Sequence, residues 1–306
     1  MERMDINWYP GHMAKAKRLL KEQLSRVDVV VELCDARLPR ASRNPDLISL
    51  TRSKKCVLVL QKADLADPKQ TEAWLKYFRS LGLSCAAIDV NKQAKTALRL
   101  IENAAQETVD RAKQRGISKV VRVMVVGVPN VGKSTLINRL HGSPIAKAGD
   151  MPGVTRANQW VRISPYLEIL DTPGLLWPRL DDQKAALRLS YIAAIRDEIQ
   201  DTKMLAMALL DDMMDMNAEN TQARFKVKDA SLRGEPLLHA VCTGRGFLMR
   251  GGVPDEERAC SVVLDEFRAG KLGRVTLERA PQPFKKQEEK PHEDEQAGAA
   301  ESSHAD

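Results

Sequence analysis

Apolar and polar residues change their rhythm once along this chain, near residue 180. Before that point, short apolar runs alternate with amphipathic stretches. The runs VDVVVEL (27–33), 56–60, 85–89, 120–126, 158–163 and 167–171 are as brief and continuous as buried strands. Between them the spacing predicts a basic helix over 13–25, with Met13, Ala16, Leu20 and Leu24 on one face. Further helices are expected over 68–80, opened by Pro68 and closed by Gly82, and over about 95–114 ahead of Gly116. Strands alternating with helices predict an α/β fold, a mostly parallel sheet with helices on both faces and a ligand at the C-terminal edge of its strands. After residue 180 only helical spacing remains. Ala185, Leu189, Ile192, Ile195 and Ile199 share one helix face, and residues 203–214 form a second apolar helix rich in methionine, read as core. A third opens at Pro254 with Asp255, Glu256 and Glu257 in its first turn, turns Ala259, Val262, Val263 and Phe267 inward, and stops at Gly270. The expected division is a first domain over 1–178, a smaller all-helical domain over 179–280 and a tail over 281–306.

Composition narrows the class. Apolar residues make up 43 % and charged residues 29 % of the 306 positions, as in a soluble globular protein. No apolar run approaches the roughly 18 residues of a membrane span, and MERMDINWYP lacks the apolar core of a secretory signal. Five scattered cysteines without a CxxC pair fit a reduced, cytoplasmic protein without structural metal. Charge is uneven. The tail from Pro281 contributes −4 of the formal +7, leaving +11 on residues 1–280. The tail is poor in apolar residues and is expected to be disordered, while so basic a body suits a polyanionic partner or presents a solvated surface.

The chemistry concentrates at 120–140, VVRVMVVGVPNVGKSTLINRL. An apolar strand runs into GxxxxGK[ST] and then an amphipathic helix, which is the phosphate loop of a nucleoside triphosphatase. Gly127 and Gly132 let the backbone curl, so that N–H groups of Asn130, Val131, Gly132, Lys133, Ser134 and Thr135 can face phosphate at a helix N-terminus. Lys133 would reach the β- and γ-phosphates, and the Ser134 hydroxyl would ligate Mg²⁺. Downstream, YLEILDTPG ends a strand in Asp-x-x-Gly: Asp171 would hold Mg²⁺ through water, and the Gly174 N–H would face the γ-phosphate. Between them, Thr155 of MPGVTR offers a switch hydroxyl to Mg²⁺ and γ-phosphate. A base-reading loop normally follows these elements, but no match follows. CVLVLQKADLADP instead places Gln61, Lys62 and Asp64 upstream, directly after a strand. There Asp64 would accept two hydrogen bonds from guanine N1–H and its exocyclic amine, a donor edge adenine lacks. The base-reading half therefore precedes the phosphate-binding half.

With that permuted order, WYPGHMAKAKR at the N-terminus, DARLP (35–39), SRNP (42–45), LLWP after DTPG and GRGFLMRGG near the C-terminus, the chain resembles the circularly permuted ribosome biogenesis GTPases of the RbgA/YlqF type over residues 7 to about 280. The resemblance implies a circularly permuted P-loop GTPase domain, GTP hydrolysis coupled to late maturation of the large (50S) ribosomal subunit, rRNA and ribosomal proteins as partners, and RNA or ribosome binding by the helical domain. Two positions depart from the pattern. Gln61 stands where the family has Asn, and Val90 in AAIDVN stands where a Ser backing the base is usual.

Hydrolysis needs a group to orient water, and many small GTPases use a glutamine after Asp-x-x-Gly. Here that position is Leu175, which cannot. The resemblance makes His12 the catalytic candidate, against a structural histidine beside Tyr9 and Pro10. Asn130 resembles the asparagine of potassium-dependent GTPases, where a bound K⁺ supplies transition-state charge, though an Asn also suits a turn. Three readings stand at this point: an assembly GTPase, a GTP-regulated RNA-binding switch with negligible hydrolysis, and an ATPase without guanine selectivity.

Overall fold

A computed structural model describes residues 18, 20–51, 53–144, 159–172, 182–195 and 201–283. His12, Thr155, Gly174, Leu175 and the tail beyond residue 283 lie outside the described residues. A single six-stranded sheet orders its strands β3-β2-β1-β4-β6-β5. In sequence these are β1 (Val29–Asp35), β2 (Lys55–Gln61), β3 (Ser84–Ile88), β4 (Val121–Gly127), β5 (Gln159–Ser164) and β6 (Leu167–Asp171). All pairings are parallel except that of β5 with β6. The permutation is visible in this order: β1–β3 form one half, and the phosphate-loop strand β4 joins it to the other through β1.

Alternation along the strands explains the two covered faces. Val29, Val31 and Leu33 of β1 share a buried cluster with Val57 and Val59 of β2 and Val123 and Val125 of β4, under Ala97, Ile101 and Leu136. Those three come from α3 (Val90–Gln114) and α4 (Lys133–His141). The opposite residues, Val30, Met124, Val126 and Leu170, pack with Leu20 and Leu24 from the helical turn at 20–24 and with Leu47 of α1 (Pro45–Leu50). Leu58 and Leu60 meet Trp74 and Phe78 of α2 (Pro68–Ser80). Side chains that point to alternate faces of a strand supply both layers from one apolar run.

The C-terminal part is helical, as its spacing predicts: α5 (Gln183–Tyr191), α6 (Thr202–Phe225), α7 (Gly234–Arg245) and α8 (Glu256–Arg268). Its buried residues, including Leu205, Leu209, Met213, Leu237, Val263 and Phe267, continue the cluster of the first sheet face, so one apolar core spans both parts.

Boundaries differ from the sequence pattern where caps and turns decide them. Aspartates 67, 89, 182, 201 and 255 each cap a helix by accepting a backbone N–H. Asp89 thus starts α3 at Val90 rather than near 95, and a non-helical Gln93 interrupts the period there. Of the helix face read through Ile199, α5 carries Ala185 and Leu189 and stops at Tyr191, Ala193 adopts a left-handed φ of 56°, and Ile199 lies outside the described residues. Ile192 and Ile195 are buried all the same. The methionine-rich helix continues to Phe225 past a non-helical Asn217. The sequence pattern missed α7, whose start at Arg233 has no side-chain cap. The phosphate-loop helix α4 runs through His141. Gly142 closes it, in a left-handed conformation, while His141 Nδ1 lies 2.8 Å from the Ser143 hydroxyl.

Candidate functional site

The loops after β1, β2, β3 and β4 meet at the C-terminal edge of the sheet, around a cavity of about 540 Å³. Gln61, Lys62, Asp64, Val90 and Asn130 line it together, so residues far apart in sequence form one pocket. The helical part completes the wall with Asp265, Arg268 and Ala269 from the end of α8, which sequence reasoning did not single out.

The phosphate loop runs from Gly127 to Gly132, whose φ of 99° is a backbone state that favours glycine. Asn130 is also left-handed, at φ 58°, and Val131 is fully buried beneath the loop. The Lys133 ammonium donates to the carbonyls of Gly127 (3.2 Å) and Val128 (3.0 Å), inside the curl. Burial lowers its pKa to about 8, partly countered by the carboxylate of Asp171. At the next position, Ser134 Oγ donates to Asp171 Oδ2 at 3.1 Å. Burial raises the Asp171 pKa, against the Ser134 hydrogen bond and the Lys133 charge. Its Oδ1 is buried without a hydrogen-bond partner among the described residues. A hydroxyl beside a carboxylate with an unsatisfied buried oxygen fits a hard divalent cation such as Mg²⁺. Thr135 lines the cavity one position further along α4.

The Gln61–Asp64 loop is joined to the phosphate loop directly. Lys62 Nζ donates to the Asn130 carbonyl at 3.0 Å, and Gln61 Nε2 donates to the Gly132 carbonyl at 3.0 Å. The longer Gln61 arm therefore braces the phosphate loop, although its Oε1 is buried without a hydrogen-bond partner among the described residues. Asp64 is exposed at the cavity edge. Val90 presents an apolar wall. The Asn130 side chain donates to the Ala193 carbonyl at 2.8 Å, tying the phosphate loop to the turn after α5.

Asp35 and Arg37, from the DARLP segment, anchor this site. Asp35 is fully buried and accepts a two-point pair from Arg37, at 3.0 and 2.8 Å. It also lies 3.3 Å from Lys62. Elsewhere Glu235, His239 and Glu256 bring ligand atoms within 4.8 Å of one another. There the Lys203 ammonium already bridges both glutamates, at 2.7 and 2.6 Å, and supplies the cation. Among the described residues no helix is long and apolar enough to cross a membrane.

The comparisons with known proteins agree with this arrangement. The family model described as "50S ribosome-binding GTPase" matches residues 122–237, starting in the phosphate-loop strand and leaving the Gln61–Asp64 loop upstream. Ribosome biogenesis GTPase A of Bacillus cereus is 42 % identical over 291 residues, 94 % of this chain and 97 % of that protein. The protein of the same name from Priestia megaterium is 40 % identical over 92 % of this chain and its own full length. The crystal structure of GNP-bound YlqF from T. maritima superposes with a TM-score of 0.62 at 29 % identity, covering 88 % of this chain and 99 % of that one. With the base loop ahead of the phosphate loop and relatives this similar along nearly their whole length, the chain belongs to the ribosome biogenesis GTPase A family and is a GTPase with the permuted P-loop fold.

Proposed function

We propose that this GTPase docks on rRNA and proteins of the large ribosomal subunit precursor in its GTP-bound form, promotes late assembly and leaves after hydrolysis. The observation that carries the nucleotide reading is the direct bonding of the base loop to the phosphate loop, Lys62 to Asn130 and Gln61 to Gly132. The partner reading is supported by the +11 formal charge of residues 1–280 and by the names of the relatives.

In this reading Asp64 accepts from the guanine N1–H and amine, and Lys62 stands behind the base, fixed by Asp35. The phosphate-loop N–H groups from Asn130 to Thr135 cradle the phosphates, and Lys133 moves from its loop carbonyls onto β- and γ-phosphate oxygens. Mg²⁺, held by Ser134, Thr155 and through water by Asp171, would neutralise charge on the β- and γ-phosphates. The Gly174 N–H meets the γ-phosphate. Asn130 is the proposed K⁺ ligand through Oδ1, the side-chain atom whose lone pairs can meet a cation. Because Leu175 cannot orient water, His12 is proposed to do so once docking places the N-terminal segment, whose Lys15, Lys17, Arg18 and Lys21 suit rRNA phosphates. The test is His12→Ala: GTP binding and association with large subunits should persist while subunit-stimulated turnover disappears. Full stimulated turnover in that variant would make His12 structural.

A further inference from the structure

The base-reading loop is finished by the other end of the chain. After α8 the backbone turns at Gly270 and returns across the nucleotide half as residues 271–278. Arg274 donates from Nε to the Ala66 carbonyl (2.9 Å) and from Nη2 to the Ala63 carbonyl (3.1 Å). The Val275 N–H donates to the Leu65 carbonyl at 3.0 Å. Thr276 accepts from the Asp67 N–H at 3.2 Å and donates to the Ala36 carbonyl at 3.3 Å. The backbone carbonyls on both sides of Asp64 are thus satisfied by residues about 210 positions away. Contact is close: Gly270 has a φ of 72°, and a Cβ there would come within 2.5 Å of a Leu65 methyl.

A second connection runs through Arg37. While paired with Asp35, its Nη1 donates to the Phe267 carbonyl at 3.0 Å, and its guanidinium lies 4.9 Å from the Phe267 ring centre. Its own carbonyl accepts from the Leu277 N–H at 2.9 Å. Asp35 in turn holds Lys62. The backbone on either side of Asp64 is therefore held by the segment after α8, and the carboxylate that holds Lys62 shares Arg37 with the end of α8, which also walls the cavity.

We propose that the end of α8 and the segment from Gly270 to Glu278 are a working part of the guanine pocket. They position Asp64 and Lys62, so nucleotide retention depends on this segment being seated, and lifting it speeds release. The proposal rests on Asp64 and Lys62 being the base readers. Linkage makes it reciprocal: bound nucleotide holds the segment down by the same factor by which the segment holds nucleotide. A partner that grips the helical part gains a handle on the nucleotide state.

The test uses the full chain, a fluorescent GDP analogue, and hydrogen exchange at the Val275 and Leu277 amides. GDP should slow exchange at both amides. Arg274→Ala should release the analogue about tenfold faster, the loss of a charged donor from carbonyls that keep only water. Arg274→Lys should recover part of that, and Arg274→Ala with Thr276→Val should exceed it. Unchanged release in both Arg274→Ala and Arg274→Ala with Thr276→Val overturns the proposal, as does exchange at Val275 and Leu277 that ignores GDP. If instead the parent fails to bind the analogue, or Asp64→Asn binds it like the parent, the base-reader assignment fails and not this coupling.

Discussion

The Lys62 ammonium lies 3.3 Å from Oδ2 of Asp35, a carboxylate with no exposed surface. Burial alone would raise the Asp35 pKa, but Arg37 and Lys62 together outweigh it and hold the carboxyl far below the usual range. One buried anion thus fixes the loop that would read the base and the arginine that reaches α8.

Arg37→Met should destabilise the protein by about 3–5 kcal/mol at neutral pH, because it strips a buried carboxylate of its two-point partner. A depressed carboxyl pKa contributes stability above the unfolded value near 3.9, and that contribution is lost as pH falls through the folded value. In the variant, protonation relieves the unpaired charge, so its deficit should shrink between pH 7 and about pH 4. Urea denaturation at both values measures this, and an equal deficit would count against the ion-pair account.

Lys133 should give nucleotide binding a mildly alkaline limit. Its folded pKa of about 8 lies below its unfolded value, so the unfolded chain holds more protons between about 8 and 10.5. Its contribution to stability therefore rises across that window. Phosphate needs the charged form, so GTP affinity should fall as pH climbs through about 8. Lys133→Met should bind no GTP and should melt with a weaker pH dependence there. Titration calorimetry and thermal melts check the two halves.

Ser134→Ala and Asp171→Asn should both raise the Mg²⁺ concentration needed for GTP binding, by roughly 10- to 100-fold, the range expected when a charge-assisted contact is lost. Nucleotide binding without Mg²⁺ should change much less. A Mg²⁺ titration that superposes on the parent would remove this pair from the metal site.

Asp64→Asn should weaken GTP and improve competition by xanthosine triphosphate, whose 2-oxygen can accept from an amide where guanine offers a donor. The shift in their ratio should exceed tenfold, since a site built for two bonds rejects a mismatched edge strongly. An unchanged ratio would mean another residue reads the base.

Much of this architecture is legible in the sequence because strands and phosphate loop are local. β2 and β6 fall within a residue of the apolar runs that predict them, α2 matches its Pro68 and Gly82 signals, and GVPNVGKS forms the loop its glycines imply. Upstream QKAD also reaches GVPN in space, as the permuted motif order implies. What sequence did not show depends on contacts between distant segments. Gln61 departs from the Asn of the family pattern, yet its extra methylene lets Nε2 meet the Gly132 carbonyl. Arg268 reads as one more basic residue at a helix end, but its guanidinium holds the Ser190 and Tyr191 carbonyls beside the cavity. Asp35 and Arg37 carried a signal in DARLP, whereas nothing local announces that residues 274–278 return to the base loop.

The most direct test of the account is nucleotide turnover by the full chain with GTP and with ATP, each with and without purified large-subunit precursors. The account predicts slow GTP hydrolysis alone, a marked rise with the particles, little ATP turnover in either case, and loss of both GTP rates in Lys133→Met. ATP turnover matching that of GTP, or a GTP rate indifferent to the particles, would contradict it.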